Sequence, residues 1–340
     1  MQQLLQQSRF AVVQQALKNL FKDEQTDLSD IEKKAALVQN LSIITNSWER
    51  NGLAKWVQVW QEKNLQYSDE IKQNNLSAIV DFLKLATTFN EQKKNYEIKG
   101  LAGQRGYTSF GKEHAKGSEA PDLKEFFQYG QIARENFNEE IYTDNVSVKE
   151  IVDFDQTLAE AYRAFEKSGT ALLQAIALYL SLDENYFDQF VFNGNSILRS
   201  IHYPPITTEP ISAIRAEQHE DINLITLLVG ASADGLEILS KQNEWVPVTS
   251  LPEQIVVNVG DMLQRLTNNK LCSTTHRVVN PARQFWHTSR FSIPFFLHPK
   301  TSMSLRCLDN CIDNAHPKLY DDITAGEYLD ERLREIGLKA

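Results

Sequence analysis

His219 and Asp221 stand two residues apart in the segment HEDINLITLL, where a run of β-prone residues begins. In extended backbone, residues two apart project from the same face, so one imidazole and one carboxylate are presented together and can share a metal ion. A third donor has to come from elsewhere. His276, in STTHRVV, lies further along the same β-prone region, where an antiparallel barrel can fold it back. Two imidazoles and one carboxylate on one side of a metal make the facial set associated with iron(II), which leaves positions open for a chelating cosubstrate and dioxygen. Beyond it, Arg290 and Ser292 again share one strand face. A guanidinium and a hydroxyl so placed can hold a carboxylate by a forked pair plus a third bond. Taken singly these signals are weak, since His-x-Asp also describes a surface pair at a strand end and a lone arginine is ordinarily half of an ion pair. Their order within one β-rich region is what carries the reading.

The elements that must position these residues follow from periodicity. Over residues 31–51 and 76–96 apolar residues recur at spacings of three and four, as in Ile79, Phe82, Leu83 and Phe89, which predicts amphipathic helices. Residues 100–117, GLAGQRGYTSFGKEHAKG, are glycine-rich without a period and read as an ordered loop. A long helix is predicted over 148–182, with Leu158, Ala161, Tyr162, Phe165, Leu172, Leu173 and Ile176 along one side. After Phe187 come short β-prone runs at 222–229, 236–239, 254–259 and 290–296. They are separated by turn signals at Ala233-Asp234-Gly235, Gln242-Asn243, Gly260-Asp261 and Asn268-Asn269. Many short strands at this spacing read as a jelly roll or sandwich. Helix returns at the end, with Thr324 and Glu327 as a capping box and Gly337 as a C-terminal stop. The expectation is a mixed α and β chain forming one domain over 1–340. Within it, 1–190 is mostly helical, 195–300 holds the metal-binding β core, and 301–340 forms a tail and helix.

With 340 residues, of which 42% are hydrophobic, there is ample material for a large core. The net charge of -10 and the scatter of its basic residues argue against nucleic acid or an anionic membrane as partner and for a small molecule. Three cysteines are too few for a disulfide framework, so a reducing compartment, the cytoplasm, is expected. No apolar run approaches the roughly 18 to 20 residues of a membrane span, and the start MQQLLQQSRF lacks the form of a secretory signal.

HED at 219–221, GDMLQRLTNN at 260–269, HRVVNP at 276–281 and RFSIPFF at 290–296 together resemble the isopenicillin N synthase-like family of Fe(II)/2-oxoglutarate-dependent dioxygenases. The glycine-rich segment GLAGQRGYTSFG and the closing YLDERLREIG are similar to bacterial members. The resemblance implies a double-stranded β-helix core, with iron(II) bound by His219, Asp221 and His276. It also implies that Arg290 and Ser292 hold the distal carboxylate of 2-oxoglutarate, and that Tyr203 in IHYPP contacts the same cosubstrate. The implied reaction consumes dioxygen and 2-oxoglutarate, releases carbon dioxide and succinate, and hydroxylates a small-molecule substrate. The first hundred residues depart from the family pattern, lacking its opening I-P-x-I-D strand and its Asn-His-Gly.

Tyr107, in the glycine-rich segment, and Asn223, sharing a strand face with Asp221, are expected to border the substrate. Cys307, Cys311 and His316 lack a fourth zinc ligand. His114 and His202 read as loop or structural histidines, and Asp261 as a residue shaping the Gly260 turn. Two rival functions remain open at this stage: an iron oxidase that, like isopenicillin N synthase, places its R-x-S pair on the substrate's own carboxylate, and a β-helix module that binds without catalysing. Nucleic-acid demethylation fits the acidic balance poorly.

Overall fold

The computed structural model describes residues 93–335, apart from 102, 116–119, 133–142, 150–153, 211, 230, 232 and 249–254. The helices predicted over 31–51 and through most of 76–96 lie outside the described residues, as do the segment around Gly52 and the stop at Gly337. Only a single 3-10 turn, Lys94–Tyr96, is described from the second of these helices.

Among the described residues, ten antiparallel strands form two sheets. The larger sheet is made of β1 (Gly106–Thr108), β2 (Glu125–Gly130), β3 (Ile197–Tyr203), β10 (Arg290–Leu297), β5 (Ile225–Val229) and β8 (Ile255–Val259), in that spatial order. The smaller holds β4 (Ala216–His219), β9 (His276–Val278), β6 (Leu236–Leu239) and β7 (Trp245–Pro247), in that order. This is the expected jelly roll. The runs at 222–229, 254–259 and 290–296 match β5, β8 and β10 to within a few residues, and β6 matches its run. Two expectations are corrected. The glycine-rich segment is not all loop, because Gly106, at φ +72°, brings the chain into β1 against β2. Both strands extend the main sheet into a region expected to be helical. The Gly260-Asp261 pair does not make a simple turn but opens a short helix, Asp261–Leu266, with Gly260 as its N-cap. The amides of Asp261 and Met262 donate to the carbonyls of Asp221 and Asn223. A side chain at position 260 would collide with Asn223, so only glycine permits this close approach.

The predicted long helix runs from Phe154 to Tyr179 (α1) and covers the outer face of the main sheet, packing on β3, β5 and β10. Its apolar side, Leu158, Tyr162, Phe165, Leu172 and Ile176, meets Leu198, Leu227, Phe295 and Leu297 in one core. Tyr162 stands edge-on to Phe295 at 5.1 Å between centroids, and Phe165 stacks on it at 5.5 Å. Gly169 lets the helix approach closely, since a Cβ there would sit 2.9 Å from the Leu297 side chain. Alternation along β10 then decides the rest. Phe291, Ile293, Phe295 and Leu297 face this core, while Arg290, Ser292, Pro294 and Phe296 face the space between the sheets. Pro294, unusual in a central strand, has no N–H to offer, and the β10–β3 ladder pairs Ser292 and Phe295 but not the residues between them.

The last helix, Ala325–Glu335 (α2), begins with the predicted capping box. The Thr324 amide donates to Glu327 at 2.9 Å, and the Glu327 amide donates to the Thr324 hydroxyl at 3.3 Å. Phe295→Ala should reduce the free energy of unfolding by about 3–5 kcal/mol. Because Phe295 faces α1 and not the intersheet space, iron affinity should change less than twofold. Chemical denaturation and anaerobic iron titration check the two halves of this prediction.

Candidate metal centre

Strand β4 ends at His219 and β9 begins at His276, and the two residues are paired across the ladder, with a register shift between Ala216 and His219. Asp221 follows two residues after the end of β4. The rings lie 4.4 Å apart. His219 Nε2 and His276 Nε2 stand 3.9 and 3.7 Å from Asp221 Oδ1. All three side chains can offer ligand atoms within 4.8 Å of one another, and they are the one such group of His, Cys and acidic residues found among the described residues.

The surrounding bonds aim these atoms inward. His219 Nδ1 bonds the Glu217 carbonyl at 2.6 Å and His276 Nδ1 the Thr274 carbonyl at 2.9 Å. A carbonyl only accepts, so each Nδ1 carries the hydrogen and each Nε2 keeps its lone pair. Asp221 Oδ2 accepts from the Thr226 hydroxyl at 2.6 Å and from Asn258 Nδ2 at 2.7 Å, leaving Oδ1 for the histidines. Burial, then the neighbouring His276, lowers the His219 pKa to about 4. Burial alone would raise that of Asp221, but the two histidines and the two hydrogen bonds outweigh it and hold it below the usual carboxylate value. At neutral pH His219 is therefore a neutral imidazole and Asp221 a carboxylate, the protonation states a metal ion needs.

Behind the three side chains, between the sheets, lies a cavity of about 80 Å³. Tyr203, Arg290 and Ser292 line it together with all three of the metal-site candidates. Arg290, opposite Tyr203 in the β3–β10 register, is 1% exposed. Its Nε donates to the Ala233 carbonyl at 3.0 Å, and its Nη1 has no partner. The guanidinium lies 4.9 Å from the Tyr203 ring. A second buried arginine, Arg215, lies 5.9 Å from the same ring. Burial and the charge of Arg290 push its pKa down to about 10. Sequence reasoning missed Arg215, a lone loop residue with no pattern around it. Neither arginine forms an ion pair among the described residues. Two buried cations without an ion pair among the described residues favour an incoming anion.

A larger cavity, of about 570 Å³, also borders His219 and Asp221. Its walls include Glu113, His114, Arg199 and His298, with Leu329 and Leu333 contributed by α2. Tyr107 lines neither cavity, and its hydroxyl donates to Glu125. The residues of its segment that do reach the larger cavity are Gln104, Glu113, His114 and Ala115. Asn223 is also outside both linings. It is fully buried and donates to Thr226 at 2.7 Å, which steadies the bond from Thr226 to Asp221. His114 lies in a loop as expected but borders the cavity, whereas His202 is buried on the far face of β3, bonded to Glu125 and Ser289. Asp261, read as a turn residue, lines the cavity too and accepts from the Tyr328 hydroxyl at 3.0 Å. Cys307 and Cys311 are buried thiols, and His316 bonds Asp313.

Residues 194–299 match the family model of the 2OG-Fe(II) oxygenase superfamily. A proline hydroxylase of Petromyces alliaceus is 33% identical over 242 residues, covering 67% of this chain and 74% of that protein. A 2OG-Fe(II) oxygenase family protein from Caulobacter crescentus has a solved structure at 43% identity and a TM-score of 0.69, covering 77% of this chain and 86% of its own. A full-length Neurospora crassa protein, solved in complex with α-ketoglutarate, is similar at 26% identity with a TM-score of 0.70, covering 86% and 94%. The chain thus belongs to the 2OG-Fe(II) oxygenase superfamily. Within that class it is an oxidoreductase, a dioxygenase that depends on iron(II) and 2-oxoglutarate, and neither the oxidase nor the non-catalytic reading is favoured.

Thr226→Val and Asn258→Ala each remove one bond from Asp221 Oδ2. Iron(II) affinity should fall about 10- to 100-fold in either variant. Anaerobic titration measures it, and an unchanged affinity would show that these bonds do not orient the carboxylate.

Proposed function

We propose that His219, Asp221 and His276 hold the iron, and that Arg290, with Ser292 and Tyr203, holds the distal carboxylate of 2-oxoglutarate in the smaller cavity. The observation that carries this reading is the unpartnered Arg290 Nη1, buried in a cavity that the metal-binding candidates also line. Iron(II), when bound, supplies the oxidising chemistry in which dioxygen decarboxylates 2-oxoglutarate to succinate and oxygenates a substrate. The protein's own contribution is position. Arg290 and Ser292 orient the cosubstrate by its far carboxylate, the Nδ1 bonds keep both imidazoles in one tautomer, and the intersheet walls limit water at the centre.

The larger cavity, which shares His219 and Asp221 with the smaller one, is assigned to the substrate. A volume of about 570 Å³ suits a small molecule, and the acidic chain makes nucleic acid a poor partner. Hydroxylation at carbon is the proposed outcome. It agrees with the name of the proline hydroxylase relative, and a small cyclic substrate agrees with the Neurospora protein, which has also been solved with thymine. No described helix is long and apolar enough to cross a membrane. The three free thiols agree with a cytoplasmic, reducing location.

Anaerobic addition of iron(II) and then 2-oxoglutarate should produce a metal-to-ligand charge-transfer band. Asp221→Ala should bind iron weakly and turn nothing over while remaining folded, as judged by its melting curve; undiminished iron affinity would remove Asp221 from the site. Arg290→Gln should raise the 2-oxoglutarate concentration needed for half of the band by roughly 30-fold or more, since truncating one partner of a buried charge pair costs about 2–5 kcal/mol. Its iron affinity should stay near that of the wild type. A normal 2-oxoglutarate requirement in this variant would place the cosubstrate elsewhere.

A further inference from the structure

The arginines that line or adjoin the intersheet space are in opposite electrostatic states. At the cosubstrate end, Arg215 and Arg290 are buried without an ion pair among the described residues. In the substrate chamber, Arg199 is already neutralised: its Nη1 lies 3.2 and 3.3 Å from the two carboxylate oxygens of Glu113. Lys124 is in the same network, 2.6 Å from Glu113 and 2.7 Å from Asp122. Two cations face two anions, and all four residues line the chamber. Burial alone would raise the pKa of Glu113, but Arg199 and Lys124 lower it to about 2, so Glu113 stays ionised within this quartet.

The quartet and its neighbours fix Arg199 without using all its donors. Nε donates to Gln128 at 3.1 Å, and the guanidinium lies 4.1 Å from the Phe126 ring and 5.1 Å from the Phe296 ring. No hydrogen bond within the described residues takes up Nη2. His298 continues the inward-facing series of β10 one step past Phe296 and lines the same chamber. It is 6% exposed, and its Nδ1 has no partner. Its backbone is tied on both sides to the Ser196 hydroxyl, by an amide donating at 3.1 Å and a carbonyl accepting at 3.3 Å. Burial lowers its pKa to about 4, so at neutral pH the ring is uncharged, with one N–H and one lone pair. A buried polar atom left unpaired is costly unless a ligand completes it.

We infer that Arg199 and His298 form the recognition subsite for the substrate, and that the group they take is an uncharged carbonyl with an adjacent hydrogen-bonding atom, as in a small cyclic amide or imide. The inference rests on the assignment of the larger cavity to the substrate. A carboxylate brought to this wall would be desolvated beside an arginine whose charge Glu113 already offsets, leaving a net buried negative charge. A neutral carbonyl accepts from Nη2 without that penalty, and the adjacent atom pairs with a ring nitrogen of His298. Phe296, Leu329 and Leu333 supply apolar walls for the remainder. Arg199 borders the smaller cavity as well, which His219 and Asp221 also line, so a group held on it stands near the metal candidates.

The test uses the full chain loaded anaerobically with iron(II) and 2-oxoglutarate. Glutarimide and 2-piperidone are titrated as neutral probes, glutarate and proline as carboxylate probes, following perturbation of the charge-transfer band and then succinate release in air. Neutral probes should bind and raise succinate release, while carboxylates should bind at least tenfold more weakly. His298→Phe should lose tenfold or more in affinity for the neutral probes and His298→Gln much less, because glutamine restores a hydrogen bond. The half-saturating 2-oxoglutarate concentration should remain as in the wild type in both. Arg199→Lys should also weaken the neutral probes, and if its melting curve shows unfolding the His298 pair carries the decision. No band in the wild type would refute the cosubstrate assignment itself. A normal band with carboxylates binding as well as amides, with no neutral probe binding, or with His298→Phe binding them like wild type would overturn this inference alone.

Discussion

Strand β10 has to satisfy two opposed demands with one stretch of chain. Its outer face must be apolar, because α1 packs there and most of the core is built on that contact. Its inner face must carry charge and hydroxyl groups into the intersheet space. Alternation meets both demands, since neighbouring residues of a strand cannot face the same way. Everything else in the structure depends on that register. A slip by one residue would turn Arg290 and Ser292 into the aromatic core and expose Phe295 to the cavity.

The second sheet completes what β10 begins. Three side chains from two short strands and a loop converge because β4 and β9 pair with His219 opposite His276. The tight start of the 261–266 helix then ties the Asp221 carbonyl to the Asp261 amide, and glycine at 260 is what makes room for it. Precision comes from polar groups that touch neither cavity, such as Asn223, whose bond to Thr226 supports the bond to Asp221. This is a chain of buried hydrogen-bonded groups, so loss of one loosens the next.

Charge is distributed unevenly along the same intersheet space. Among the described residues, cations form no ion pair at the Arg290 end and are paired with carboxylates at the Arg199 end, although both ends are buried. A fold of net charge -10 has carboxylates to spare, so the absence of ion pairs to Arg215 and Arg290 among the described residues is a local matter of position and not a consequence of composition. On the proposed assignments, the difference separates a dianionic cosubstrate from a neutral substrate by electrostatics before shape enters.

The amino-acid sequence by itself determined the jelly-roll class, the long helix, the capping box and the candidate residues His219, Asp221, His276, Arg290, Ser292 and Tyr203, because each is recorded locally. Strand alternation, helical period and two-residue spacing are short-range regularities, and the family motifs preserve their order. The short strands β1, β4, β7 and β9 and the helix starting at Asp261 were not legible, since three or four residues hold no period and their conformation is set by partners distant in sequence. The same limit explains Tyr107 and Asn223. Sharing a segment or a strand face with the site placed them near it on paper, whereas the fold gave one hydroxyl to Glu125 and the other side chain to Thr226. Arg199, Arg215 and His298 were invisible for the opposite reason: nothing adjacent marks them. Only tertiary structure decides which buried charges find a counterion and which polar atoms are left facing a cavity, because pairing through the fold joins residues as far apart in sequence as Glu113 and Arg199.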